Sequence, residues 1–257
     1  CRVRRSLCAS RFRKEGRFNV KTQKIETILK ENGYVGRGVL MGMSPSGKKA
    51  AMAYFIMGRS ENSQNRVFIE KGEELVIHPF DESKVEDPSL IIYAPVRVFG
   101  ESTIVTNGDQ TDTVYEFLAA GKPFEAALRT RCFEPDAPNF TPRISGMMTV
   151  APGRCAYKLS ILKSADAAGS ACLRQTFEYA EPLSGIGHFI HTYKTDGNPL
   201  PTFAGEPEQI EIPEDGSAFG TLLWENLDAR YKIALFVRYI NLESGAAETH
   251  VFNKHQR

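Results

Sequence analysis

Four polar runs hold the residues best suited to chemistry. Gly58-Arg59-Ser60-Glu61-Asn62-Ser63-Gln64-Asn65-Arg66 sets two guanidiniums, hydroxyls and amides within nine residues. Arginine presents a planar fork that suits phosphate. Thr106-Asn107-Gly108-Asp109-Gln110-Thr111-Asp112-Thr113 lies at a strand end that feeds a helix, where backbone N–H groups favour anions. Phe133-Glu134-Pro135-Asp136-Ala137-Pro138-Asn139-Phe140-Thr141-Pro142-Arg143 is a proline-stiffened loop with two carboxylates and an arginine. Gly185-Ile186-Gly187-His188-Phe189-Ile190-His191-Thr192-Tyr193 offers two histidines. Taken singly, each run also reads as a turn, a cap or a polar loop.

The two histidines point to opposite faces of a strand and do not make a metal pair. No HExxH or Cys/His ligand spacing occurs, so no metal site is expected. There is no GxGxxG after a strand, no P-loop and no GxSxG elbow.

The elements that must position these runs are mostly strands. Strand patterns fall at 34–43, 50–58, 66–70, 74–78, 90–98 and 102–106. They return at 143–150, 154–162, 171–180, 186–193, 208–212, 231–240 and 248–253. Runs 51–57 and 90–93 are apolar on both faces, as in the middle of a layered structure. Ser44-Pro45-Ser46-Gly47 joins the first two strands as a hairpin. Ile25, Ile28 and Leu29 give a short amphipathic helix within 21–31, with Thr22 able to cap it and Asn32-Gly33 to end it. Helices are expected at 111–121, capped by Thr111 or Asp112 and closed by Gly121, at 123–132 with Pro123 in its first turn, and at 217–227. Strands, then helices, then many strands predict an α+β single domain.

Composition narrows the classes. The chain has 257 residues, 42% hydrophobic and 25% charged, which excludes disorder and disulfide scaffolds. No apolar run reaches the ~18 residues of a membrane span. The net charge of +1 conceals an asymmetry: residues 1–32 carry ten Lys/Arg against three Glu, and the rest carries 22 basic against 28 acidic residues. The acidic body gives no push toward nucleic acid. The Arg-rich residues 1–20 lack the apolar stretch of a secretory signal and are expected to be a disordered extension. The five cysteines form no CxxC and read as reduced thiols in the cytoplasm.

Together the runs resemble one family, the archaeal-type inosine monophosphate (IMP) cyclohydrolases and their bacterial relatives. The resemblance is carried by G-Y-V-G-R-G-V (33–39), A-Y-F-I-M-G-R-S-E-N-S-Q-N-R-V-F (53–68), D-P-S-L-I-I-Y-A-P-V-R-V (87–98), T-N-G-D-Q-T-D-T (106–113), F-E-P-D-A-P-N-F-T-P-R-I-S-G (133–146), Y-K-L-S-I-L-K-S (157–164) and G-H-F-I-H-T-Y (187–193). It covers roughly residues 22–257 and is closer to the bacterial branch. It implies a four-layer αββα sandwich like that of N-terminal nucleophile hydrolases. The implied activity is closure of 5-formamidoimidazole-4-carboxamide ribotide to IMP and water, with no cofactor.

By this resemblance Arg66, or else Arg59, meets the substrate's charge or developing oxyanion. Tyr93 and Glu134, with Asp136 as a rival, serve proton transfer. Ser60, Asn65, Asn107, Asp109, Thr111, Asp112, Thr141, Arg143 and His188 line the pocket or touch phosphate. The partner implied is a small nucleotide, with no nucleic acid and no membrane; a homo-oligomer stays open. Two other readings are weighed. A true N-terminal nucleophile hydrolase would use Cys1, but no strand pattern follows Cys1 to hold it. A non-catalytic nucleotide or RNA binder would need aromatics on a basic face, whereas the aromatics here lie in apolar strands.

Overall fold

The computed structural model describes residues 22–85 and 93–255. Its centre is the hairpin of β1 (Arg37–Met43) and β2 (Lys49–Met57). The turn between them is closed by Gly47 N–H donating to the Ser44 carbonyl at 2.9 Å, with Gly47 in the left-handed region at φ 69°. Alternation along β2 sends Met52, Tyr54 and Ile56 to one core and Ala51, Ala53 and Phe55 to another. Apolar side chains therefore occupy both faces of the strand, as its sequence requires.

β1 and β2 lie inside an antiparallel sheet of order β11-β10-β1-β2-β12-β13. Its other strands are β10 (Ile186–His191), β11 (Glu208–Glu211), β12 (Lys232–Asn241) and β13 (Ala247–Asn253). The second antiparallel sheet runs β3-β4-β5-β6-β7-β8-β9. It comprises β3 (Val67–Lys71), β4 (Glu74–His78), β5 (Val96–Phe99), β6 (Ser102–Thr106), β7 (Arg143–Ala151), β8 (Arg154–Ser164) and β9 (Cys172–Tyr179). The sheets meet over a shared core in which Val39, Tyr54 and Phe236 join Ile144, Leu159 and Ile161.

Helices cover the far faces. α1 (Ile25–Glu31) and α5 (Gly216–Asn226) bury Ile25, Ile28, Phe219 and Leu223 with the first sheet. α3 (Gln110–Ala119) and α4 (Phe124–Arg129) bury Val114, Phe124 and Leu128 against Ile104 and Leu162 of the second. The short α2 (Glu61–Gln64) follows β2. Burying apolar area at roughly 25 cal/mol per Å² on three interfaces is what holds these layers together.

The elements fall close to their expected positions, with local differences. Thr22 does not cap α1: Lys24 stands at its N-cap, and Thr22 accepts from Gln209 Nε2 at 3.1 Å. Thr111 and Asp112 lie inside α3, because the helix starts one residue early with Asp109 at its N-cap. Pro123 precedes α4 rather than entering it. The run 90–98 becomes a ladder only from Val96; residues 90–92 lie outside the described residues. α2 falls where a polar loop is expected, because it has no apolar periodicity; a reciprocal Ser60–Ser63 capping box holds it. The expected extension at 1–20, with Cys1, also lies outside the described residues.

Candidate active site

In an antiparallel sheet the start of one strand lies beside the end of the next. The start of β1, the end of β2, the end of β6, the start of β7 and the end of β10 therefore gather at one end of the sandwich. A cavity of about 700 Å³ opens there. Of the residues singled out from sequence, Arg59, Ser60, Arg66, Tyr93, Asn107, Asp109, Glu134, Asp136, Thr141 and Arg143 line it.

Its charges fall into two groups. Arg37 and Arg66 lie on the cavity wall, and the Nε atom of each is buried with no hydrogen-bond partner. Neither forms an ion pair among the described residues. Burial, and then the adjacent Arg37 charge, push Arg66 below the ordinary arginine range. Two like charges held this way are a cost that an anion would remove.

Arg143 is the opposite case. Its guanidinium donates to Asp109 at 2.5 Å, to Gln110 Oε1 at 2.6 Å and to Glu134 at 3.1 Å. Arg131 also donates to Asp109. Burial alone would raise Asp109, but the Arg131 hydrogen bond and the Arg143 charge outweigh it and hold the carboxyl low. Glu134 moves the other way. Burial raises it, Arg143 and Arg37 pull it back, and Asp109 and Asp136 push it up again. The net result is a carboxyl that keeps its proton to higher pH than an ordinary glutamate.

Asp136 is engaged elsewhere. One of its carboxylate oxygens accepts from Thr141 N–H at 2.6 Å and the other from the Thr141 hydroxyl. That hydroxyl also meets Tyr193 Oη at 2.6 Å, across from the other sheet. Glu134 N–H donates to the Thr141 carbonyl at 2.9 Å, so the loop is closed on itself.

At the rim, Arg59 donates to Asp196 at 2.8 Å and to the Gly197 carbonyl at 2.9 Å, and lies over the Tyr34 ring. Tyr34 stacks on Tyr193 with centroids 5.9 Å apart. Deeper in, Tyr93 Oη lies 3.2 Å from Tyr54 Oη. Asn107 is committed to structure: its amide accepts from Ile144 N–H and Gln110 and donates to the Pro142 carbonyl.

Four expected residues are not brought to the cavity. Asn65 is buried and clamps Asp81, donating to its carbonyl and accepting from its N–H. Thr111 is buried beneath the Gly108 turn, bonded to Thr106 and to the Gly108 carbonyl. Asp112, one helical turn beyond Asp109, faces out and pairs with Arg97. His188 sits five residues short of Tyr193, stacked on Tyr179 and bonded to Tyr157 Oη at 2.7 Å, with burial lowering it to about 4. Conversely, Tyr34, Arg37, Ser63, Asn139 and Tyr193 line the cavity without having been singled out. Arg37 carried a usable signal, being a lone charge in an otherwise apolar strand.

Comparison with known proteins adds to this geometry. The model of a family described as IMP cyclohydrolase-like protein matches residues 34–245. The IMP cyclohydrolase of Methanopyrus kandleri is 35% identical over 116 residues, 44% of this chain and 57% of that protein. Those of Methanothrix thermoacetophila and Methanocella arvoryzae are 32% and 33% identical over 120 and 121 residues, each 45% of this chain and 58% of the relative. The chain thus spans less than three fifths of the curated relatives it matches. The family match extends from Tyr34, on the cavity wall, past Tyr193 and Leu200, which also line it; this chain belongs to the IMP cyclohydrolase-like protein family.

Proposed function

We propose that this chain closes the six-membered ring of 5-formamidoimidazole-4-carboxamide ribotide to give IMP and water. The observation that carries the reading is a pair of guanidiniums on the cavity wall, Arg66 buried and Arg37 half-buried, whose Nε atoms have no hydrogen-bond partner among the described residues, beside a carboxyl that burial pushes above the usual glutamate range. The names of the archaeal relatives point to the same reaction.

The chemistry fits such a floor. The substrate's carboxamide nitrogen attacks its own formyl carbon, so a held near-attack pose supplies much of the acceleration. The C–N bond forms as the formyl C=O becomes a C–O⁻, and the nitrogen gives up a proton. Arg66, with Arg37, meets the developing oxyanion, where preorganised donors matter most. The alkoxide takes up a proton to become a hydroxyl, which then leaves as water with a second proton, while the former formamide nitrogen gives up its N–H proton as the ring C=N forms. Glu134, protonated to higher pH than usual, suits the donor. Asp136, held by Thr141, does not. Tyr93 hydrogen-bonds at the same floor, and Arg143, itself held by Asp109, holds Glu134 in place. Arg59 and Ser60 at the rim serve the distant phosphate, whose binding energy helps pay for the pose. No step calls for a metal, a redox cofactor or ATP.

The same reading gathers the finer expectations. We read the layers as the αββα arrangement of N-terminal nucleophile hydrolases that the resemblance implies, with Arg37 at the start of β1. On this reading the described residues belong to one domain, and the protein works in the cytoplasm on a small nucleotide.

The test is to incubate the purified protein with the formylated ribotide in chelator-treated buffer and follow IMP. Turnover above the spontaneous rate is expected, with Arg66→Met lowering kcat/KM by about 10²–10³-fold. No turnover with saturable IMP binding would instead make the chain a nucleotide binder; neither turnover nor binding would end the reading.

A further inference from the structure

Tyr54 is a buried phenol that the proposed chemistry leaves unused. It sits at the middle of β2, is 0% exposed, and its ring stacks on Phe68 with centroids 5.7 Å apart. A phenylalanine would fill the same space without burying a polar atom. Among the described residues its hydroxyl makes a single hydrogen bond, to Tyr93 Oη at 3.2 Å.

The direction of that bond follows from the surroundings. The charged groups whose fields reach Tyr54 are Arg37 and Arg66, and guanidinium has donors only. Around the ring the neighbours are apolar core. If Tyr54 accepted from Tyr93, its own proton would be buried with no acceptor. We infer that Tyr54 is a positioning residue: it donates its one proton to Tyr93 Oη and thereby turns the Tyr93 proton into the cavity. Burial and the nearby Tyr93 oxygen hold the Tyr54 phenol well above its usual range, so it retains that proton. Its closest consequence is for the hydroxyl that faces substrate, and in its kinetic form the inference rests on the ring-closure reading.

The experiment is a double-mutant cycle. Tyr54→Phe is expected to lower kcat about tenfold, the worth of one well-placed hydrogen bond, with KM within about twofold. In a Tyr93→Phe background the same substitution is expected to cost nothing further. An unchanged kcat, or an equal fold-loss in both backgrounds, overturns the inference, since a packing role would act in either. A wild-type protein with no turnover ends the ring-closure reading but not this one. The wild-type-minus-Tyr54→Phe difference in the tyrosine doublet of the ultraviolet resonance Raman spectrum reports whether that phenol donates or accepts. A donor signature sustains the inference, and an acceptor signature overturns it.

Discussion

Glu134 is pulled in two directions by its neighbours. It pairs with Arg143 at 3.1 Å, yet it is raised, because burial and two further carboxylates outweigh that contact. A carboxyl that binds its proton more tightly folded than unfolded favours the fold at low pH. That contribution is lost as pH rises from the ordinary value of 4.5 through the raised one. Above that window the fold carries an ill-solvated charge. Glu134→Gln, which mimics the protonated form, is therefore expected to raise Tm at pH 7, with the gain vanishing below about pH 4. The same variant is expected to lower kcat by about 10²–10⁴-fold. Melting curves across pH, with steady-state rates, check both. A lower Tm at pH 7 would show that the Arg143 contact dominates.

At the scale of elements, the turn from β6 into α3 aims the arginine that aims Glu134. A Cβ on Gly108 would stand 2.7 Å from Arg143 Nη1 and from Gln110 Oε1, and 3.3 Å from Glu134 Oε1. Gly108→Ala is expected to displace Arg143 and cut kcat/KM at least about tenfold, while circular dichroism stays that of the wild type. Unchanged kinetics would mean that Arg143 yields freely. Elements of this kind were largely legible in the sequence. Apolar runs and period-two alternation mark the strands, because both faces of the central sheet are buried. α2 was not legible, since a capping box rather than an apolar stripe holds it. The polar runs at strand ends marked most of the cavity wall. What they could not show was helical phase and depth: α3 turns Asp112 away toward Arg97, and alternation along β10 does not reveal that His188 lies well below the opening. Tyr34 was hidden for the converse reason, standing outside every polar run, whereas Arg37 stood out only as the lone charge of an apolar strand.

At the scale of the molecule, the cavity belongs to neither sheet alone. Arg37 and Tyr193 come with the first sheet, and Arg143 and Asn107 with the second. A ligand bound there bridges the two and is absent from the unfolded chain. IMP at about 100 times its Kd is then expected to add about 2.7 kcal/mol of stability, a rise in Tm of about 5–10 °C for a chain of this size. Thermal melts with increasing IMP measure it, and Arg66→Met is expected to abolish most of the rise. Melting that ignores IMP would count against a nucleotide site shared by the sheets.

The walls of the cavity differ in how firmly they are fastened. The loop carrying Glu134 is closed on itself through Asp136 and Thr141 and fixed to Tyr193 by a buried hydroxyl pair. The Arg59–Asp196 pair at the rim has side chains 35% and 50% exposed. Such a pair contributes only about 0–1 kcal/mol. On the ring-closure reading, this weakly fastened side, past Asp196, is where nucleotide is expected to enter and leave. With so exposed an ion pair at that doorway, exchange there is expected to outpace bond-making at the floor, which would then set the pace of each cycle.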